Sequence, residues 1–155
     1  MDRETLAKIF REAFRGDPPV GDELVELKGD VERRNEIREE FTGRTWWEIP
    51  AQTIFEQDDA ISFFAPKGRC HYLPAYLLAA LDVQGDWWFP EMVVYNLYLP
   101  IKRPRGDLVR ESFEVFLSLL TIEQKTAIRR YLEYAVEHGP SEAAEEALDI
   151  LWRRY

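Results

Sequence analysis

Between Arg69 and Asp82 the chain runs for twelve residues without a charge, Cys70-His71-Tyr72-Leu73-Pro74-Ala75-Tyr76-Leu77-Leu78-Ala79-Ala80-Leu81. From Tyr76 onward this run has no polar face, so a helix built from it must be covered on every side. Other elements therefore have to pack around it. A bilayer crossing needs about 20 apolar residues, so the run is too short to span a membrane. Pro66 suits a first helical position, and the predicted helix extends to about Leu81. Pro74 lacks the N–H that an interior turn needs, so the helix either kinks there or is two helices that abut.

The whole chain has 155 residues, which predicts one domain over 1–155. Residues 3–15 place Leu6, Ile9, Phe10, Ala13 and Phe14 on one helical stripe, with Asp2 as cap and Gly16-Asp17-Pro18-Pro19 as stop. Leu24, Leu27 and Val31 keep a helical spacing, but Gly29 breaks it, so a second helix is expected from Asp30 to about Phe41. Thr45 and Glu48 form a capping box, and Pro50 shortens or restarts the helix that follows. Residues 60–64 read equally as a short strand or a helical turn. Pro90 opens a helix to about Leu97, Pro100–Gly106 is a loop, and 107–119 fit helix or alternation. Thr121 and Gln124 form a second capping box ahead of the stripe Ala127, Ile128, Tyr131, Leu132 and Ala135. His138, Gly139 and Pro140 end that helix, and Ser141 caps the last one. The predicted fold is mainly α: a single compact domain of six to eight helices with at most a short minor strand or hairpin.

Charge narrows the function. Twenty-nine acids against 20 bases leave a formal charge of −9. Nucleic-acid affinity rests on Lys and Arg neutralising phosphates, and anionic membranes repel such a chain. No nucleic acid and no membrane partner is therefore expected. Residues 51–100 hold six acids, only two bases (Lys67 and Arg69) and ten aromatics. Charged residues avoid full burial, so this middle third is predicted to be the core, wrapped by the two ends. The one cysteine, Cys70, excludes an intrachain disulfide and suits a reducing compartment. Met1 to Arg15 lacks the apolar run of a signal peptide. A cytoplasmic location is expected.

Several placed residues match a known pattern. Phe63-Phe64-Ala65-Pro66 followed by Tyr72-Leu73-Pro74-Ala75-Tyr76-Leu77-Leu78 resembles the "fltPe…yyLPayll" core of DUF6714-like proteins, a bacterial family of unknown function. Trp46 before Asp58-Asp59 matches in order. So does Leu120-Thr121-Ile122-Glu123-Gln124, similar to an "LtpeQ" helix start, followed by Tyr131-Leu132-Glu133-Tyr134. The resemblance covers roughly residues 30 to 136. It departs at Trp87-Trp88-Phe89 and at Ile122, where the pattern has proline. It implies a small bacterial cytoplasmic domain and brings no activity or catalytic residue.

No catalytic constellation stands out. Adjacent helical side chains point about 100° apart, so Cys70 and His71 do not form a dyad, and nothing places His138 beside Cys70. Zinc wants three or four Cys, His or carboxylate ligands, and no such spacing occurs. Asp58-Asp59 reads as a local cap. The chain has no Walker-type loop, no G-x-G-x-x-G and no G-x-S-x-G. No catalytic residue, cofactor or metal is assigned, and the balance leans away from an enzyme.

The most unusual feature is Trp87-Trp88-Phe89, which follows Gly85-Asp86 and precedes Pro90. Exposed Trp and Tyr are enriched at binding hot spots. The candidate partner-binding set is Trp87, Trp88 and Phe89, ringed by Asp82, Asp86 and Glu91. The competing reading has at least two of the three rings plugging the core against Leu77–Leu81. Lys102-Arg103-Pro104-Arg105 is a compact basic spot that reads as a solvated loop. Contact with a neutral or basic protein surface, in an accessory or toxin-neutralising role, is the leading expectation. The alternative is a small-molecule binder or enzyme, with a pocket between the Pro74 break and the Trp87-Trp88 loop and Cys70 or His71 nearby. A homo-oligomer built on an exposed apolar face is the third.

Overall fold

The computed structural model of the chain describes residues 1–85, 87–101, 105–139 and 141–155. Asp86, the stretch Lys102-Arg103-Pro104, and Pro140 lie outside the described residues, and with them part of the expected acidic ring, the basic spot and one helix stop.

Local capping chemistry starts four of the eight described α-helices where the sequence predicts. α1 is Arg3–Ala13, and the Asp2 carboxylate accepts the Thr5 N–H at 2.7 Å. Gly29 takes φ +78, a left-handed conformation that favours glycine, and α2, Val31–Phe41, begins behind it with Asp30 accepting the Arg33 N–H at 2.8 Å. The Thr45 capping box opens only a 3₁₀ turn, Trp46–Glu48, and the chain restarts after Pro50 as α3, Ala51–Glu56. α4 is Pro66–Leu81, α5 Phe89–Tyr95, α6 Asp107–Leu119, α7 Ile122–His138 and α8 Glu142–Ile150. α7 carries the Thr121–Gln124 capping box, and Ser141 caps α8 through the Ala144 N–H at 3.1 Å.

Three open readings are resolved. α4 runs through Pro74 as one helix and is neither split nor restarted. Residues 58–62 are a 3₁₀ turn, and the only strand-like pairing among the described residues is an isolated antiparallel bridge between Val25 and Phe64. Residues 107–119 are helix. The alternation Phe113, Val115, Leu117, Leu119 does not hold there, because Val115 and Leu119 are exposed while Phe113 and Phe116 are buried one turn apart.

α4 is the hub: α1, α3, α5, α6 and the 3₁₀ turns at 46–48 and 58–62 pack on it. Tyr72, Leu73, Tyr76 and Leu77 are fully buried, as a helix without a polar face requires. The tightest approach is at Gly68, where a Cβ would lie 2.2 Å from the Leu24 carbonyl oxygen. The core does not stop at the middle third, as the charge distribution suggests. Leu6 and Phe10 of α1, Ile128 and Leu132 of α7, and Trp152 are each fully buried. Amphipathic stripes carry the charge-rich ends into the core on their apolar side. No helix is long and apolar enough to cross a membrane among the described residues.

Candidate functional site

The candidate residues lie where α4 hands over to α5. α4 ends at Leu81, Gly85 turns the chain with φ +80, and α5 starts at Phe89 with Pro90 in its first turn. α5 packs on α4 and α8 and buries Phe89, Val93 and Val94. Trp88 sits at its N-cap in helical conformation, and its carbonyl accepts the Met92 N–H at 3.0 Å. Helical periodicity therefore aligns Trp88, Glu91, Met92 and Tyr95 on the outward face.

The three rings of the candidate patch separate. Phe89 is buried, stacked on Trp87 at 5.0 Å between centroids and on Tyr76 at 6.2 Å. Trp87 lies over Phe89, meets Phe55 edge-on at 5.3 Å and remains 37% exposed. Trp88 is 55% exposed. So two of the three rings reach solvent, against the core-plug reading, and Phe89 is their seat and not part of the surface.

Trp88 stands as a ridge between two grooves. One, of about 340 Å³, runs along Met92 and Tyr95 to Arg105, whose guanidinium donates to the Tyr95 carbonyl at 2.9 Å. The other, of about 630 Å³, lies between the Trp87-Trp88 turn and the far end of α7 with Tyr134 and His138. The Tyr134 and His138 rings stack at 3.9 Å, and His138 Nδ1–H donates to the Tyr134 carbonyl at 3.0 Å. Glu91 lines both grooves and accepts a 2.7 Å hydrogen bond from the Ser141 hydroxyl, so it is held in place. Between Arg130 and Arg153 the chain carries six acids and no Lys or Arg. α8 carries four of them, Glu142, Glu145, Glu146 and Asp149, while the lining of the larger groove itself is apolar and aromatic with Glu91 as its one acid among the described residues.

Asp82 does not join this face. It turns back to α1, where Arg3 Nε and Nη2 each donate to it at 2.6 Å. Asp86 lies outside the described residues.

Cys70 and His71 belong to a separate cleft of about 390 Å³ with Asp17, Lys67 and Gln124. Burial pushes the Cys70 thiol up to about 12, and it donates to the Phe116 carbonyl at 3.6 Å. Burial pulls His71 down to about 4, against the opposing pull of Asp17. Its Nε2 accepts the Trp46 backbone N–H at 3.2 Å, so the neutral ring bears its proton on Nδ1. The thiol is held as a thiol and the imidazole as a neutral ring. The residues flanking Pro74 on its C-terminal side, Ala75, Leu78 and Ala79, line yet another groove, with Trp47 and α1. The residues after Pro74, the Cys70-His71 pair and the Trp87-Trp88 turn thus open onto three different depressions. Sequence reasoning missed Tyr134, His138 and Tyr95 as neighbours of Trp88. The i, i+3, i+4, i+7 spacing from Trp88 is the signal that finds Tyr95, and no sequence signal finds the α7 pair.

The model of a family of unknown function, DUF6714, matches residues 3–155. That match extends beyond the 30–136 stretch that the short motifs cover. No curated protein and no solved structure matches the chain.

Proposed function

Given that the chain belongs to DUF6714, a family of unknown function, we propose that it works by protein–protein contact through the Trp88 face of α5. One observation carries this reading: two adjacent tryptophans, 37% and 55% exposed, stand at the start of α5, with Trp87 stacked on the buried Phe89, and α5 packs on the acidic α8. Large rings held rigidly at a surface give contact area at low entropic cost. The partner that fits is a basic segment whose apolar side chains enter the grooves beside Trp88 while its Lys and Arg meet Glu91 and α8. An accessory or neutralising role toward a basic protein agrees with this chemistry.

The test uses two amphipathic peptides with the same leucine face, one flanked by lysines and one by glutamates. The lysine peptide is expected to bind, to weaken with salt, and to lose at least tenfold in affinity with Trp88→Ala. Equal binding of both peptides, or none, would overturn the reading. A photo-crosslinker at position 88 in growing cells then identifies the natural partner, and a crosslink to a second copy of this chain would favour self-association instead.

A further inference from the structure

The groove beside Pro74 has a chemistry of its own. α1 forms one wall, the Trp46–Glu48 turn and α3 form the other, and Ala75 and Ala79 of α4 make a floor of small side chains. Its volume is about 660 Å³, within the ~300–1,000 Å³ of small-molecule pockets. The bidentate Arg3–Asp82 pair joins α1 to the end of α4 within the groove's lining.

Charge distinguishes this groove from the rest of the surface. With Arg3 and Asp82 satisfied by each other, Glu4, Lys8 and Arg11 remain on the rim, a net positive spot on a chain of formal charge −9. Lys8 and Arg11 lie one turn apart on α1 and pair with no carboxylate among the described residues. Arg11 sits 5.7 Å above the half-exposed Trp47 ring. The Trp46 indole N–H is committed to the Phe14 carbonyl at 2.8 Å, and Trp47 meets Trp46 edge-on, so this wall is rigid.

We propose that this groove binds a straight-chain monocarboxylate. The alkyl tail lies along Ala75, Ala79 and the Trp47 face, and the carboxylate meets Arg11 and Lys8. A guanidinium donates two parallel N–H hydrogen bonds to a carboxylate, which fixes the head. The tail gains from each methylene that leaves water.

Isothermal titration of the full chain with octanoate, at neutral pH and low salt, tests this. Saturable one-site binding is expected, weakened at least tenfold in Lys8→Glu/Arg11→Glu. 1-Octanol, with the same tail and no charge, should bind at least tenfold more weakly. Ala7→Leu, at a half-exposed α1 position facing the groove, should block the tail without unfolding the chain, with circular dichroism as control. Trp88→Ala should leave octanoate binding unchanged, which separates this site from the α5 face. No saturable binding of octanoate to the folded wild type would overturn the proposal. Wild-type affinity in both the charge-reversed and the Ala7→Leu proteins would overturn it too.

Discussion

The Nε2 of His71 accepts the backbone N–H of Trp46 at 3.2 Å, inside the core between α4 and the Trp46–Glu48 turn. A protonated imidazole has no acceptor to offer, so this bond exists only in the neutral form. Burial of the ring holds His71 down in the folded state, at about 4 against the usual 6.5.

The sign of the resulting pH dependence follows from linkage. Above about pH 6.5 the ring is neutral in both states and the fold is at full strength. As pH falls from there toward 4, the unfolded chain takes up the proton and the folded one does not, so stability is lost. The loss is roughly 3 kcal/mol across that window. Urea unfolding at a series of pH values should show it, and His71→Gln, whose amide oxygen can accept the same N–H, should flatten the curve between 6.5 and 4.

Gly68→Ala should destabilise by about 2–3 kcal/mol, against the gain expected for alanine in a helix. The added Cβ would lie 2.2 Å from the Leu24 carbonyl, a backbone atom that also accepts the Ala65 N–H at 2.9 Å. A midpoint in urea equal to or above wild type would contradict the close approach.

Tyr72→Phe removes a buried hydroxyl that lies 2.6 Å from the Phe41 carbonyl and 2.7 Å from that of Arg44. These carbonyls end α2 and begin the turn before Trp46. Losing the hydroxyl should cost about 1–3 kcal/mol, since it strands buried acceptors. Thermal unfolding measures the loss.

Cys70 should be slow to react with a disulfide reagent. With the thiol pushed up to about 12 by burial, the thiolate fraction at pH 8 is on the order of 10⁻⁴. The native protein should label at least a hundredfold more slowly than the chain in urea. Rapid native labelling would show that the Cys70 cleft opens.

The two tryptophans should differ in stability effect. Trp88→Ala is expected within about 0.5 kcal/mol of wild type, as for other exposed positions. Trp87→Ala should cost about 1–2 kcal/mol, because Trp87 stacks on Phe89 and abuts Phe55. Chemical denaturation of the pair separates the surface ring from its support.

Much of the fold was legible because it is written locally. Asp2, Asp30, Thr121 and Ser141 each satisfy the amide three residues ahead, so the starts of α1, α2, α7 and α8 need no information from elsewhere. The Thr45 box was also legible, yet it opens a 3₁₀ turn and not a full helix, because Pro50 supplies no N–H to extend it. The site was less legible. The candidate residues 82–91 are neighbours in sequence, but the structure gives Asp82 to Arg3, buries Phe89 and leaves Trp88 outside.

Residue order alone settles the helical class, most element boundaries and the burial of the uncharged run in α4. Each of these depends on a few consecutive side chains and on the 3.6-residue period. Exposure of Trp87 and Trp88, the continuity of α4 through Pro74, and the groove between α1 and α4 depend on which helices meet. Those meetings join positions as distant as Arg3 and Asp82, or Trp88 and Tyr134. A periodic stripe says that a helix buries one face, and it does not say against which neighbour. That choice comes from packing the whole set of stripes at once, and it is what turns an acidic, tryptophan-rich chain into one with two separate and chemically opposite candidate surfaces.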